Sequence, residues 1–163
     1  MKTLLILRHA KSSWDKPDIA DHDRPLNKRG KRDAPRMGQL LRDEGLLPDL
    51  ILSSTARRAR KTAEAVAEAS GYLGEIEYTG DFYPGDPSDY IETLRQAPDD
   101  LDRIMVVGHN PGLEDLLETL TGESEHLTTS ALAQVSLPIG SWQALDDETE
   151  GKLVNLWRVK ELS

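Results

Sequence analysis

Two histidines and three arginines fall at or just beyond the ends of short apolar runs. Leu4-Leu5-Ile6-Leu7 leads straight into Arg8-His9, and Ile104-Met105-Val106-Val107 leads into Gly108-His109. A third run, Asp49-Leu50-Ile51-Leu52, leads through Ser53-Ser54 to Arg57-Arg58. Arginine presents a planar fork of N–H donors that matches phosphate oxygens, and imidazole changes protonation state near neutrality. Residues of these types suit the handling of a phosphoryl group. The chain has 163 residues and no cysteine. A thiolate nucleophile, thiolate metal ligands and disulfides are therefore excluded. No His-x-x-x-His or comparable carboxylate spacing marks a metal site, and no cofactor is expected.

The elements that must position these residues follow from periodicity. Short apolar runs flanked by polar turns read as buried strands. Ala34, Met37, Leu40 and Leu41 share one face of a helix ending near Gly45. Pro35 lacks an N–H, which predicts either a kink or a helix that starts close to Pro35. Ala56, Ala59, Ala63, Val66 and Ala67 make a second stripe, and Leu113, Leu116, Leu117 and Leu120 a third. Alternating strands and helices predict an α/β fold: a three-layer sandwich, a mostly parallel mixed sheet with helices on both faces, in a single domain over residues 1–163. After Gly122, residues 131–137, 142–145 and 153–159 read as strands, the last two pairing across the acidic turn Asp146 to Gly151.

Ligands bind at the carboxyl ends of strands in open α/β sheets. Asn110 suits an N-cap and Pro111 the first helical position, so His109 should lie beside a helix N-terminus that favours an anion. Arg58 falls in the first turn of its helix, while Ala59 and Ala63 face the sheet. A single histidine at a strand end is usually a polar loop residue. Convergence from separate strands is what argues for a site. Arg57, Arg60 and Lys61 read as a solvated helix face, and His22 and His126 as surface residues. Lys11 and Ser12 are candidate phosphate contacts that also read as ordinary loop residues. Trp14 is expected to pack on its loop.

The net charge of -9 disfavours general nucleic-acid binding, so any phosphate site must be a local basic pocket. No apolar stretch approaches membrane-spanning length, and the N-terminal run is too short for a signal peptide. A cytoplasmic protein with no membrane partner is expected.

Three segments resemble the histidine phosphatase superfamily, the phosphoglycerate-mutase-like fold. They are Leu5-Ile6-Leu7-Arg8-His9-Ala10-Lys11, then Ser54-Thr55-Ala56-Arg57-Arg58-Ala59-Arg60-Lys61-Thr62-Ala63-Glu64, and Val106-Val107-Gly108-His109-Asn110-Pro111. Arg24-Pro25-Leu26-Asn27-Lys28-Arg29-Gly30 fits the stretch after the first. The short chain and the wording Arg-His-Ala-Lys-Ser-Ser-Trp are most similar to the SixA branch of phosphohistidine phosphatases. The resemblance implies His9 as nucleophile and Arg8, Arg58 and His109 as phosphate ligands. It fixes Arg58 rather than Arg57 by register. Ala10 stands where the wider superfamily usually has glycine. Many members also carry a glutamate proton donor in mid-chain, and the nearest carboxylate here is Asp81.

The implied activity is a metal-independent phosphatase. Little chain is left between Ile51 and Val107 to build a cap, and an open pocket suits a phosphohistidine on a protein of a signalling or phosphocarrier system. A small phosphomonoester is the alternative substrate. An idle phosphate- or phosphoprotein-binding module is a further alternative, against which the pair of histidines argues.

Overall fold

The computed structural model describes residues 1–162. Six strands form one sheet in the order β3-β2-β4-β1-β5-β6. β1 (Lys2–Arg8), β4 (Arg103–Gly108), β2 (Leu50–Ser54) and β3 (Ile76–Thr79) run parallel; beyond β1, β5 (Leu132–Leu137) pairs antiparallel with β1 and β6 (Lys152–Trp157) antiparallel with β5. The mixed α/β sandwich expected from the sequence is the fold observed. Strand side chains alternate between faces, so β1 sends Leu4 and Ile6 to one core and Leu5 and Leu7 to the other. On the first face they meet α3 (Pro87–Arg95) and α4 (Gly112–Thr121) through Tyr90, Leu94, Leu113 and Leu117. On the second they meet α1 (Lys28–Asp43) and α2 (Arg57–Ser70) through Met37, Leu41, Ala63 and Val66.

The structure departs from three expectations. α1 begins seven residues before Pro35 and carries that proline inside the helix. The Asn27 side chain accepts from the Gly30 N–H, a cap worth about 1 kcal/mol. Pro35 sits on the exposed side, and the apolar stripe continuing through Met37 and Leu41 holds the helix across it. Residues 142–145 form no strand. They make a single 3-10 turn, Trp142–Ala144, because the Trp142 indole is buried and donates to the Leu101 carbonyl at 2.6 Å. β6 accordingly pairs with β5 and not across the acidic turn. Third, Pro111 itself is the N-cap of α4. The Asn110 amide instead donates to Glu114 and to the Leu127 carbonyl.

The parallel strands all deliver their carboxyl ends to one side of the sheet. β1 and β4 are in register there, Arg8 beside Gly108, and the His9 N–H donates to the Gly108 carbonyl at 3.1 Å. Gly108 and Gly112 permit the tight packing below this rim. A Cβ at Gly108 would collide with the Tyr90 hydroxyl, and one at Gly112 with the Gly85 carbonyl oxygen.

Candidate active site

His9, Arg58 and His109 come together at this rim, each almost wholly buried. The two imidazole centroids lie 5.1 Å apart with their planes tilted by 52°. Strand order explains the meeting. β1 and β4 are neighbours, and β2 lies on the other side of β4, so one strand end supplies each histidine and the helix after β2 supplies Arg58. Arg8, the last residue of β1, donates from a guanidinium nitrogen to the Leu127 carbonyl at 3.0 Å.

Both histidines are neutral in this pocket. Burial, together with the positive charges of Arg58 and Arg8, depresses the pKa of each to about 3. His9 Nδ1 lies 2.8 Å from the Ala10 carbonyl oxygen. A carbonyl only accepts, so Nδ1 carries the proton and Nε2 keeps its lone pair. Ala10 is itself held by Thr62, whose hydroxyl accepts from the Ala10 N–H at 2.9 Å and donates to the Arg58 carbonyl at 2.7 Å. One threonine therefore ties the nucleophile's loop to the arginine's helix. His109 Nε2 pairs with the Ser54 hydroxyl at 2.8 Å. The Nε groups of Arg8 and Arg58 and His109 Nδ1 are buried with no partner in the protein. Three potential donors on three converging residues match an anion rich in oxygens.

Several neighbours were not singled out from the sequence. Asp21, in a 3-10 turn at Asp21–Asp23, accepts from Arg58 at 3.0 Å, from Arg24 at 3.0 Å and from the Tyr83 hydroxyl at 2.6 Å. Those donors hold its carboxyl well below the usual carboxylate range, the Tyr83 bond first. The Tyr83 ring meets His109 edge-on at 5.5 Å between centroids. His22, expected as a plain surface residue, is half-buried, bonds Thr55 at 2.9 Å and packs edge-on against Tyr83. Ser130 is the one non-glycine residue with positive φ among the described residues, at 67°, and its N–H donates to the His9 carbonyl. The run Asp21-His22-Asp23-Arg24 was a visible charged cluster. Nothing local in the sequence marks Tyr83 or Ser130.

The remaining candidates sit further out. Lys11 is exposed, and the Ser12 hydroxyl is engaged by Arg24 at 2.8 Å. Arg57 is exposed and reaches only the Asp23 carbonyl, at 3.5 Å. Asp81 is exposed in the turn Gly80–Phe82, its N–H bonded to the Thr79 hydroxyl. Trp14 is exposed and carries the Arg24 guanidinium over its ring at 3.5 Å. His126 lies on the surface and bonds Glu114. Among the described residues no three His, Cys, Asp or Glu side chains are grouped to hold a metal ion, and no helix is long and apolar enough to cross a membrane.

This geometry has counterparts among known proteins. The sequence profile of the histidine phosphatase superfamily (branch 1) matches residues 4–82. SixA of Agrobacterium tumefaciens superposes with a TM-score of 0.82 at 30% identity, covering 96% of this chain and 97% of that one. SixA of Nakamurella multipartitia gives 0.85 at 26% identity, with 96% and 95% covered. An uncharacterized chloroplastic protein of Arabidopsis thaliana is 36% identical over 151 residues, 87% of this chain and 69% of that protein. With His9, His109, Arg8 and Arg58 in place and the two SixA structures each covering 96% of it, the chain belongs to the histidine phosphatase superfamily, in its SixA-like branch, and is a phosphatase.

Proposed function

We propose that the protein is a metal-independent phosphohistidine phosphatase that works through a phosphoryl-enzyme intermediate on His9. The observation that carries this reading is the tautomer of His9. A buried ring neutral at physiological pH, with Nδ1–H committed to Ala10, presents Nε2 as an unprotonated nucleophile. Nε2 attacks phosphorus in line and the P–N bond to the substrate imidazole breaks; the substrate ring, protonated from solvent at its second nitrogen beforehand, takes the bonding electron pair and leaves as neutral imidazole. Arg8 and Arg58 hold the phosphoryl oxygens as charge builds on them. Binding a phosphate dianion favours protonation of His109, which then becomes a third cationic donor. Water cleaves the His9 phosphoramidate, inorganic phosphate departs and neutral His9 is restored. Two arginines already supply positive charge, so no metal step is required.

Topology supports a protein-borne substrate. Between β2 and β4 the chain makes only α2, β3, one 3-10 turn and α3. β3 joins the sheet, and α2 and α3 bury their apolar faces in the two cores, so none of this segment is spent on a separate cap. The assignment is tested by comparing kcat/KM for a phosphohistidine peptide with that for sugar phosphates, before and after dialysis against a strong chelator. The phosphohistidine reading requires the peptide to be preferred and the activity to survive. Preference for a sugar phosphate would move the protein to the small phosphomonoesterases.

A further inference from the structure

Charge is divided unevenly along this chain. Residues 1–61 carry 15 Lys and Arg against 8 Asp and Glu, while residues 62–163 carry 5 against 21. The fold turns that division into a polarity across the active site. One flank is built from the loop 11–27, α1 and the first turns of α2. Pro25, Leu26 and Ala65 line a depression there of about 300 Å³, ringed by Lys31, Arg57 and Lys61. A second depression shares Pro25, Leu26 and Lys31 and adds Lys28 and Arg29 against the single carboxylate of Asp15. Among the described residues Lys28 and Lys31 make no ion pair, and Arg29, Arg32 and Arg36 share the single carboxylate of Asp33. The flank reaches the pocket directly, since Arg57 precedes Arg58 and bonds the carbonyl of Asp23, two residues from Asp21. The opposite flank, α4 and the segment behind it, carries Glu114, Asp115, Glu118, Glu123 and Glu125.

We propose that this basic flank is the docking surface for an acidic face of the phosphoprotein substrate, with an apolar side chain beside the phosphorylated residue seated on Pro25, Leu26 and Ala65. The proposal rests on the phosphohistidine reading and adds the chemistry of the partner. Net charge alone argues the other way. At -9, the molecule as a whole repels an acidic ligand. A local patch overrides that field because screening limits each charge to about 8–10 Å at ordinary ionic strength. The acidic far flank would repel the same partner, so the pair of flanks fixes how the partner is turned as well as whether it binds. A small phosphate ester needs the pocket residues alone and makes no use of Lys31 or Lys61.

Two synthetic phosphohistidine peptides test this, one with Asp and Glu on both sides of the phosphohistidine and one with Asn and Gln in their places. At about 0.1 M salt the acidic peptide should show kcat/KM about tenfold above the neutral one, and the ratio should fall towards one in about 0.5 M salt. The double variant K31E/K61E, altered only at exposed positions, should remove the preference and change p-nitrophenyl phosphate turnover by less than about twofold. Equal values for the two peptides at about 0.1 M salt, or a preference that survives K31E/K61E, would overturn the docking surface while leaving the phosphohistidine assignment intact. Hydrolysis of p-nitrophenyl phosphate with neither peptide cleaved would sink the phosphohistidine reading and the docking surface together.

Discussion

Asp21 grips Arg58 twice, through its backbone carbonyl at 2.7 Å and its carboxylate at 3.0 Å. The same carboxylate takes the Tyr83 hydroxyl and the Arg24 guanidinium. A loop residue thus fixes the direction of the guanidinium on α2, with a tyrosine that touches His109 completing the link.

We expect Asp21→Asn to lower kcat for an aryl phosphate about tenfold, since a charge-assisted hydrogen bond is worth ~1.5–3 kcal/mol. KM should not rise, because a negative charge facing the phosphate is removed at the same time. Asp21→Glu should recover part of the loss. An unchanged kcat in Asp21→Asn would show that Arg58 holds its own position. Steady-state kinetics of the three proteins decide it.

Arg58→Ala should cost on the order of 10²–10³ in kcat for p-nitrophenyl phosphate, as expected for loss of one preorganised charged donor. Arg57→Ala should leave that activity within about twofold, because the side chain is solvent-exposed. Equal losses would reverse the assignment of the two arginines.

The depressed histidines have a pH signature. Both have folded pKa values near 3 against about 6.5 unfolded. Between those values the unfolded chain binds more protons than the folded one, so stability is full above about 6.5 and is lost as pH falls towards about 3. In the phosphate-free protein, NMR of the His9 and His109 ring carbons should show no titration midpoint between about pH 5 and 8. Adding vanadate should raise the His109 midpoint. A midpoint near 6.5 for His9 without ligand would mean that its ring is hydrated and not held in the pocket.

How much of this was legible depends on what kind of signal each residue leaves. His9 and His109 stood out because buried parallel strands read as unbroken apolar runs, and their ends are visible in the sequence. Arg58 was set apart from Arg57 by the resemblance of Arg58-Ala59-Arg60-Lys61-Thr62-Ala63 to the second family motif, which fixes the register. The start of α1 was left open because Pro35 was weighed as a kink or a starting point, although its missing N–H costs one bond and the Asn27 cap and the stripe beyond outweigh it. Residues 142–145 were misread because a short apolar segment looks alike in a strand and in a buried turn. Tyr83 and Ser130 reach the site through loop paths set by tertiary packing, which has no period to read. Asp21 lay in a charged cluster whose partner, Arg58, is far along the chain.

The leaving group offers a separate check. Imidazole departs readily because its ring is easily protonated, whereas an alkoxide needs a strong acid beside it. The nearest carboxylate candidate, Asp81, is exposed and makes no side-chain bond to the pocket residues. We expect kcat/KM to fall steeply from phosphohistidine and aryl phosphates to alkyl phosphates, and Asp81→Asn to slow alkyl phosphates more than phosphohistidine. A flat dependence across leaving groups of rising pKa would reveal an efficient general acid.

The central claim is that Nε2 of His9 carries the phosphoryl group. Rapid quenching of the protein with ³²P-labelled substrate at alkaline pH, followed by peptide mapping, measures this directly. The account requires acid-labile label on the peptide containing His9 and no label in His9→Ala, which should also be inactive. Label on His109, or full turnover by His9→Ala, would contradict it.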